Sequence, residues 1–232
     1  MNLRRLLALT LLCTTCLPAQ EPTAAPSPEA LMKIQEAQEL QGRQRYVDAL
    51  AKLDEAEELA PNLPDIYNMR GSIYLAPSLR DYTKAGEMFD KAEAMQPGQL
   101  APRFNKAELL FVQHDWAAAG AAFHKILNDF PKTPMPVRHL IIFKRLICEV
   151  KQDQLDIAEK TLKDTFTFMD DTPAYYYSKA AIAFQKKDEA AAKDWLSRAE
   201  GIFKPVEISA YMDSFMEVRW LPNIGLPPME KK

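Results

Sequence analysis

Residues 107–131 read AELLFVQHDWAAAGAAFHKILNDFP. Ala107 and Leu110 share one helical face; after Asp115, Trp116, Ala119, Phe123 and Ile126 fall at intervals of three, four and three residues, and Pro131 follows. Apolar residues that return every three to four positions form the buried stripe of an amphipathic helix. A proline lacks the N–H that would continue it. The stretch therefore predicts two antiparallel helices joined by a short turn. Ala119 has counterparts at Ala49, Ala85, Ala158 and Ala192, at successive intervals of 36, 34, 39 and 34 residues. A self-similar period near 34 residues marks a tandem array of helical hairpins, in which each unit buries its apolar face only by stacking on the next.

The other units follow outward from this one. Leu31, Ile34 and Leu40 lie on one face of a first helix, and Tyr46, Leu50, Leu53 and Ala56 on a second that Pro61 ends. Gly71 and Tyr74, then Tyr82, Ala85, Phe89, Ala92 and Pro97, repeat the pattern, as do Ala180, Ala192, Leu196 and Ala199. The fourth unit has Leu155, Ala158 and Leu162 but places the large Leu146 where the others have a small residue. Its extra length is expected around Lys132 to Pro136, where Pro131, Pro134 and Pro136 interrupt helix. Asp81, Asp115 and Asp188 precede second helices and predict N-caps, and Asp170-Asp171-Thr172 predicts a cap for the fifth hairpin.

In these residues the chain resembles the tetratricopeptide repeat family: a small residue in the first helix, then an aromatic, an alanine, a bulky residue and a closing proline in the second. The resemblance covers about 175 residues. It implies an all-α, right-handed α-solenoid of about five antiparallel helix-turn-helix repeats plus a C-terminal capping helix. The family's usual turn glycine is missing, with His114 and Lys187 in its place, so those turns are expected to be strained or differently shaped. The predicted organisation is a signal peptide at 1–19, a flexible leader at 20–28, the solenoid at 29–204, a capping helix at 205–220 and a flexible tail at 221–232.

Arg4 and Arg5, the apolar run Leu6 to Leu12 and the closing Leu17-Pro18-Ala19 carry the signal-peptide expectation, and with it a periplasmic or secreted location. The run is too short to span a bilayer, and no other stretch approaches the length needed. A lipid anchor at Cys16 is the alternative, although Cys13-Thr14-Thr15 lacks the leucine and small residues such anchors use. Cys13 and Cys16 fall inside this segment, so their C-x-x-C spacing is not read as a redox motif. A net charge of −3 among 26% charged residues offers no basic face for nucleic acid.

No signature of an enzyme, metal site or cofactor emerges. His114, His124 and His139 have no partner at metal-ligand spacing. The apolar neighbours of Cys148 would raise its thiol pKa, and the seven glycines form no phosphate loop. The acidic run Asp54, Glu55, Glu57 and Glu58 reads as a solvated helix face.

The resemblance implies that first helices line an inner wall that receives a protein or peptide. Carried over position by position, that wall is Phe104, Glu108 and Phe111, then Phe143, Ile147 and Val150, then Tyr177, Ala181 and Phe184. An apolar, aromatic trough is expected there, although the same residues also suit packing between hairpins. Phe104, Phe143 and Glu108 stand where chaperone-tail clamps carry lysine and asparagine, so hydrophobic or extended-peptide capture fits better. Val206, Ile208, Tyr211, Met212, Phe215, Met216 and Val218 predict an amphipathic helix that either caps the array or folds back into the trough. The functional expectation is a noncatalytic exported scaffold, with a structural envelope-assembly role (outer-membrane, pilus or secretion complex) as the alternative. The sequence leaves the partner and the oligomeric state open.

Overall fold

Stacked helical hairpins account for almost all of the described residues. A computed structural model describes residues 26–167, 169–170 and 172–222; the predicted signal, its Cys16, most of the leader, Asp171 and most of the predicted tail lie outside them. Eleven helices run through the described residues: α1 (Pro28–Gly42), α2 (Tyr46–Leu59), α3 (Pro64–Tyr74), α4 (Tyr82–Met95), α5 (Leu100–Val112), α6 (Trp116–Asp129), α7 (Met135–Lys151), α8 (Leu155–Thr165), α9 (Pro173–Gln185), α10 (Glu189–Ile202) and α11 (Pro205–Glu217). They pair as α1/α2, α3/α4, α5/α6, α7/α8 and α9/α10. No described helix is long and apolar enough to cross a membrane.

The periodic alanines mark the tightest places in the stack. Ala49, Ala85, Ala119, Ala158 and Ala192 are fully buried, because side chains larger than a methyl group would force the paired helices apart. At Gly71 even a methyl group does not fit: a Cβ there would fall inside the Phe89 ring. The main core runs from α5 to α11 around Phe111, Phe123, Phe143, Leu146, Tyr177 and Phe215. A smaller cluster of Ala37, Ala49, Leu53, Ile66 and Ile73 holds the first hairpins.

Helix ends follow local chemistry. The side chains of Asp81, Asp115 and Asp188 accept the N–H groups of Lys84, Ala118 and Ala191 at 3.1, 3.1 and 3.0 Å. Thr172, from the triplet predicted to cap the fifth hairpin, accepts from Ala174. In the turns after the first helices, Gln44, Arg80, His114, Asp153 and Lys187 take positive φ angles of 58, 42, 61, 59 and 62°. Each is a left-handed residue without glycine's freedom, so every hairpin turn carries backbone strain.

The two irregular intervals resolve differently. The longer first interval becomes an extended α3–α4 turn around Ala76 to Arg80. The prolines do break the helix between Asp129 and Met135, but the expectation that the extra length lies around Lys132 to Pro136 is corrected, since most of it is in α7. Pro136 sits in the first turn of α7, where its missing N–H has no helical partner to lose, and α7 extends to 17 residues against 13 in α5 and α9. The acidic run on α2 is also more than a solvated face. Arg70 of α3 pairs with Glu57 and, at 2.6 Å, with Asp54, so these carboxylates clamp the first hairpin to the second.

Candidate functional site: the inner wall and the helix lying in it

First helices contact one another along one side of the array, α1 with α3, α3 with α5, and α7 with α9. Polar side chains join the earlier members. Gln41 donates to Ser72 at 3.0 Å and Asn105 to Asn68 at 2.9 Å. The later members are aromatic, and α11 lies on them.

α11 packs on α7, α9 and α10. Phe215 is its centre, stacked on Phe143 at 6.1 Å and edge-on to Tyr177 at 5.4 Å, with Phe184 and Trp220 alongside. Tyr211 meets both Phe143 and Tyr177. Beyond the helix, Trp220 stacks on Phe184 at 5.7 Å, and Lys151 lies over both Trp220 and Trp116. Rings in such offset and edge contacts gain energy beyond their buried area.

Two polar anchors flank the aromatic seat. Lys144, only 5% exposed, donates to Glu108 at 2.8 Å and to Ser214 of α11 at 3.0 Å, above the Phe111 ring. Farther along, Glu217 accepts from both terminal nitrogens of Arg80 and lies 3.4 Å from His114. Burial alone would push the Glu217 carboxyl up, but the His114 imidazole close by and the bonds from Arg80 outweigh this and hold it below the usual carboxylate range. The neighbouring Asp213 carboxyl is pushed up by burial, against the pull of Lys144.

The expected open aromatic trough is therefore corrected. Phe143, Ile147, Val150, Tyr177 and Ala181 have no exposed surface, and Phe111 has 1%. Phe104 packs on Phe123, while Phe184 is half-buried between Phe215 and Trp220. The chain's own helix supplies the occupant that an apolar wall requires. Of the predicted wall, Glu108 and Phe111 border the part that stays open. This is a hollow of about 610 Å³ between α11, the first three hairpins and Lys144 of α7, with Gln44, Leu75, Ser78, Val112, Ser214 and Glu217 in its lining.

No protein-family model and no curated protein sequence matches the chain. Solved structures do match in three dimensions. PilW, described as a widely conserved type IV pilus biogenesis factor, superposes with a TM-score of 0.62 at 21% identity, over 83% of this chain and 87% of that one. TTC0263, a thermophilic TPR protein of Thermus thermophilus, gives 0.60 at 16% identity, over 82% and 99%. The pilF protein of Pseudomonas aeruginosa gives 0.59 at 14%, over 82% and 85%. The fold is that of the tetratricopeptide-repeat proteins.

Within a tetratricopeptide-repeat frame, α11 has a definite register. Its end repeats the turn that closes α1, α5, α7 and α9: Arg219 takes φ 63° and donates to Met216, and Trp220 donates to Phe215. His114 donating to Phe111, and Asp115 to Leu110, make the same pattern. α11 is thus built as a first helix, yet it reaches Phe143 of α7 and Arg80 of the second hairpin. Sequence reasoning missed Lys144 and Arg80. One signal for Lys144 was present, a lysine inside the apolar run of α7.

Chemistry of other kinds has little to build on. The Cys148 thiol is buried, and burial pushes it up to about 12, far from a nucleophile's range. His114 stacks on Trp116, His124 bonds Asn128, and His139 lies edge-on to Phe166, each in a different place. Among the described residues, no group of three His, Cys, Asp or Glu side chains converges as metal ligands.

Proposed function

We propose that the protein is a noncatalytic, exported scaffold that binds a protein or peptide segment along the open part of its inner wall. The observation that carries this reading is the hollow beside α11. Leu75, Val112 and Met216 give it apolar surface, and Gln44, Ser78 and Glu108 give it hydrogen-bonding groups. A mixed lining of this kind suits an extended segment, whose backbone needs donors and acceptors while its side chains need apolar contact. Export is supported by the charged, apolar and small-residue order of the first 19 residues. A photo-crosslinking residue at Ser78 should give one discrete adduct in the native cell, lost when Leu75 or Val112 is changed to arginine. Adducts forming equally well from Lys125 on the exposed side of α6 would overturn the reading.

A second reading, a structural component of an envelope assembly, draws on the same N-terminus and on the fold shared with PilW and pilF. It predicts a stable multiprotein complex. Its lipid-anchored form requires a lipid mass on Cys16, and a mature N-terminus at Gln20 would remove that form.

A further inference from the structure

α11 displays the chemistry that the later part of the wall accepts. Ile208, Tyr211, Phe215 and Val218 form its buried stripe, and Ser214 and Glu217 meet two cations, Lys144 and Arg80. A wall with two cations along one side of an aromatic floor selects a helix with aromatic residues on its buried stripe and a carboxylate beside and beyond them.

The seat is also imperfectly satisfied. Arg80 Nε, Glu108 Oε1 and Tyr177 Oη are buried without a hydrogen-bond partner, and all three residues lie where α11 meets the wall. Each such atom costs part of its desolvation energy, so the docked state gives up stabilisation that a fully paired interface would keep. α11 starts at Pro205, directly after α10 ends at Ile202 with Phe203 and Lys204 between them. So short a tether gives the helix a high effective concentration, and modest intrinsic affinity suffices to keep it seated.

We infer that the wall formed by Lys144, Phe143, Tyr177 and Arg80 is a helix-binding site with α11 as its resident ligand. Its external ligand is an amphipathic helix carrying a Tyr/Phe pair four residues apart and a carboxylate two residues after the second ring. The inference rests on the scaffold reading and concerns the aromatic seat under α11, which adjoins the hollow and shares Lys144, Ser214 and Glu217 with its lining. Partner and α11 exchange by local opening of the last helix.

The test uses the full chain and a fluorescent peptide of residues 205–220, with binding read by anisotropy. The unaltered chain should bind the peptide weakly, because α11 competes. A chain carrying Phe215→Ala, whose own helix is weakened, should bind it at least about tenfold more tightly. Glu217→Gln provides a milder variant should Phe215→Ala compromise folding, as checked by circular dichroism, and should produce a smaller gain. A peptide with both aromatics replaced by alanine should bind neither variant. Equal binding by unaltered and variant chains, or full binding by the alanine peptide, overturns the inference. Crosslinking from Ser78 in the unaltered chain reads occupancy of the hollow with α11 seated, whereas the peptide assay reads the seat once α11 is weakened, so either idea can fail without the other.

Discussion

Arg80 holds Glu217 through both terminal guanidinium nitrogens, at 3.2 and 2.8 Å, across 137 positions of sequence. The long α3–α4 turn makes this possible. The residues that break the 34-residue period carry Arg80 toward α11, where it also donates to Tyr82. An irregularity in the repeat thus becomes a tie between the second hairpin and the last helix. Both side chains are largely shielded, so the pair is worth more than an exposed one. A double-mutant cycle with Arg80→Met and Glu217→Gln should give a coupling of about 1–3 kcal/mol in urea unfolding followed by tryptophan emission. A coupling near zero would mean that the tie is incidental.

Acid should loosen the same contact. The folded-state pKa of Glu217 lies below its unfolded value, so its contribution is complete above the ordinary glutamate pKa of about 4.3 and is lost as pH falls through the folded value. Asp213, raised by burial, acts in the opposite sense, since protonating it favours the folded state as pH drops. In a chain carrying Trp116→Phe and Trp195→Phe, Trp220 fluorescence should hold steady from neutral pH to about 5 and change below about 4. Glu217→Gln should flatten that change.

Gly71→Ala should destabilise the second hairpin by about 1–3 kcal/mol, since the new methyl group would occupy the space of the Phe89 ring. Thermal unfolding followed by circular dichroism checks this. Combining it with Phe89→Leu should recover part of the loss, because the smaller side chain leaves room.

Phe143→Ala should behave as a core substitution and not as a surface one. Phe143 is fully buried among Tyr177, Tyr211 and Phe215, so its removal should cost about 3–5 kcal/mol in urea unfolding. A loss below about 1 kcal/mol would show that the aromatic seat contributes little.

Cys148 should be inert in the native protein. With its thiol buried and raised to about 12, iodoacetamide at mildly alkaline pH should label it only after urea unfolding. Rapid labelling of the native chain, read by mass spectrometry, would contradict the burial.

The hairpins were legible because each depends on short-range chemistry: alanine where helices touch, aspartate at second-helix starts, proline between units. Pro136 misled because proline bars helix interiors but suits a first turn, and the choice between them is made by packing beyond the local sequence. The inner-wall residues were legible as a set, from Phe104 to Phe184, but not their surroundings. A stripe such as Ile208, Tyr211 and Phe215 looks the same whether it covers the end of the array or lies along the wall. What separates the two outcomes is long-range, in Lys144 meeting Ser214 and Arg80 meeting Glu217, and neither pairing has a local signature. Glu108 reads alone as a replacement within the wall, yet its partner Lys144 sits 36 positions away.

The left-handed turn at His114 sets two needs against each other. Glycine would relax that backbone, since it takes a φ of 61° without a side-chain clash. It would also remove the imidazole that lies flat on Trp116 and 3.4 Å from Glu217. His114→Gly should therefore leave the turn more comfortable and the last helix less well held, a compromise written into one residue. Evolution or design aiming to harden this scaffold would have to choose there between a stiffer hairpin and a closed wall.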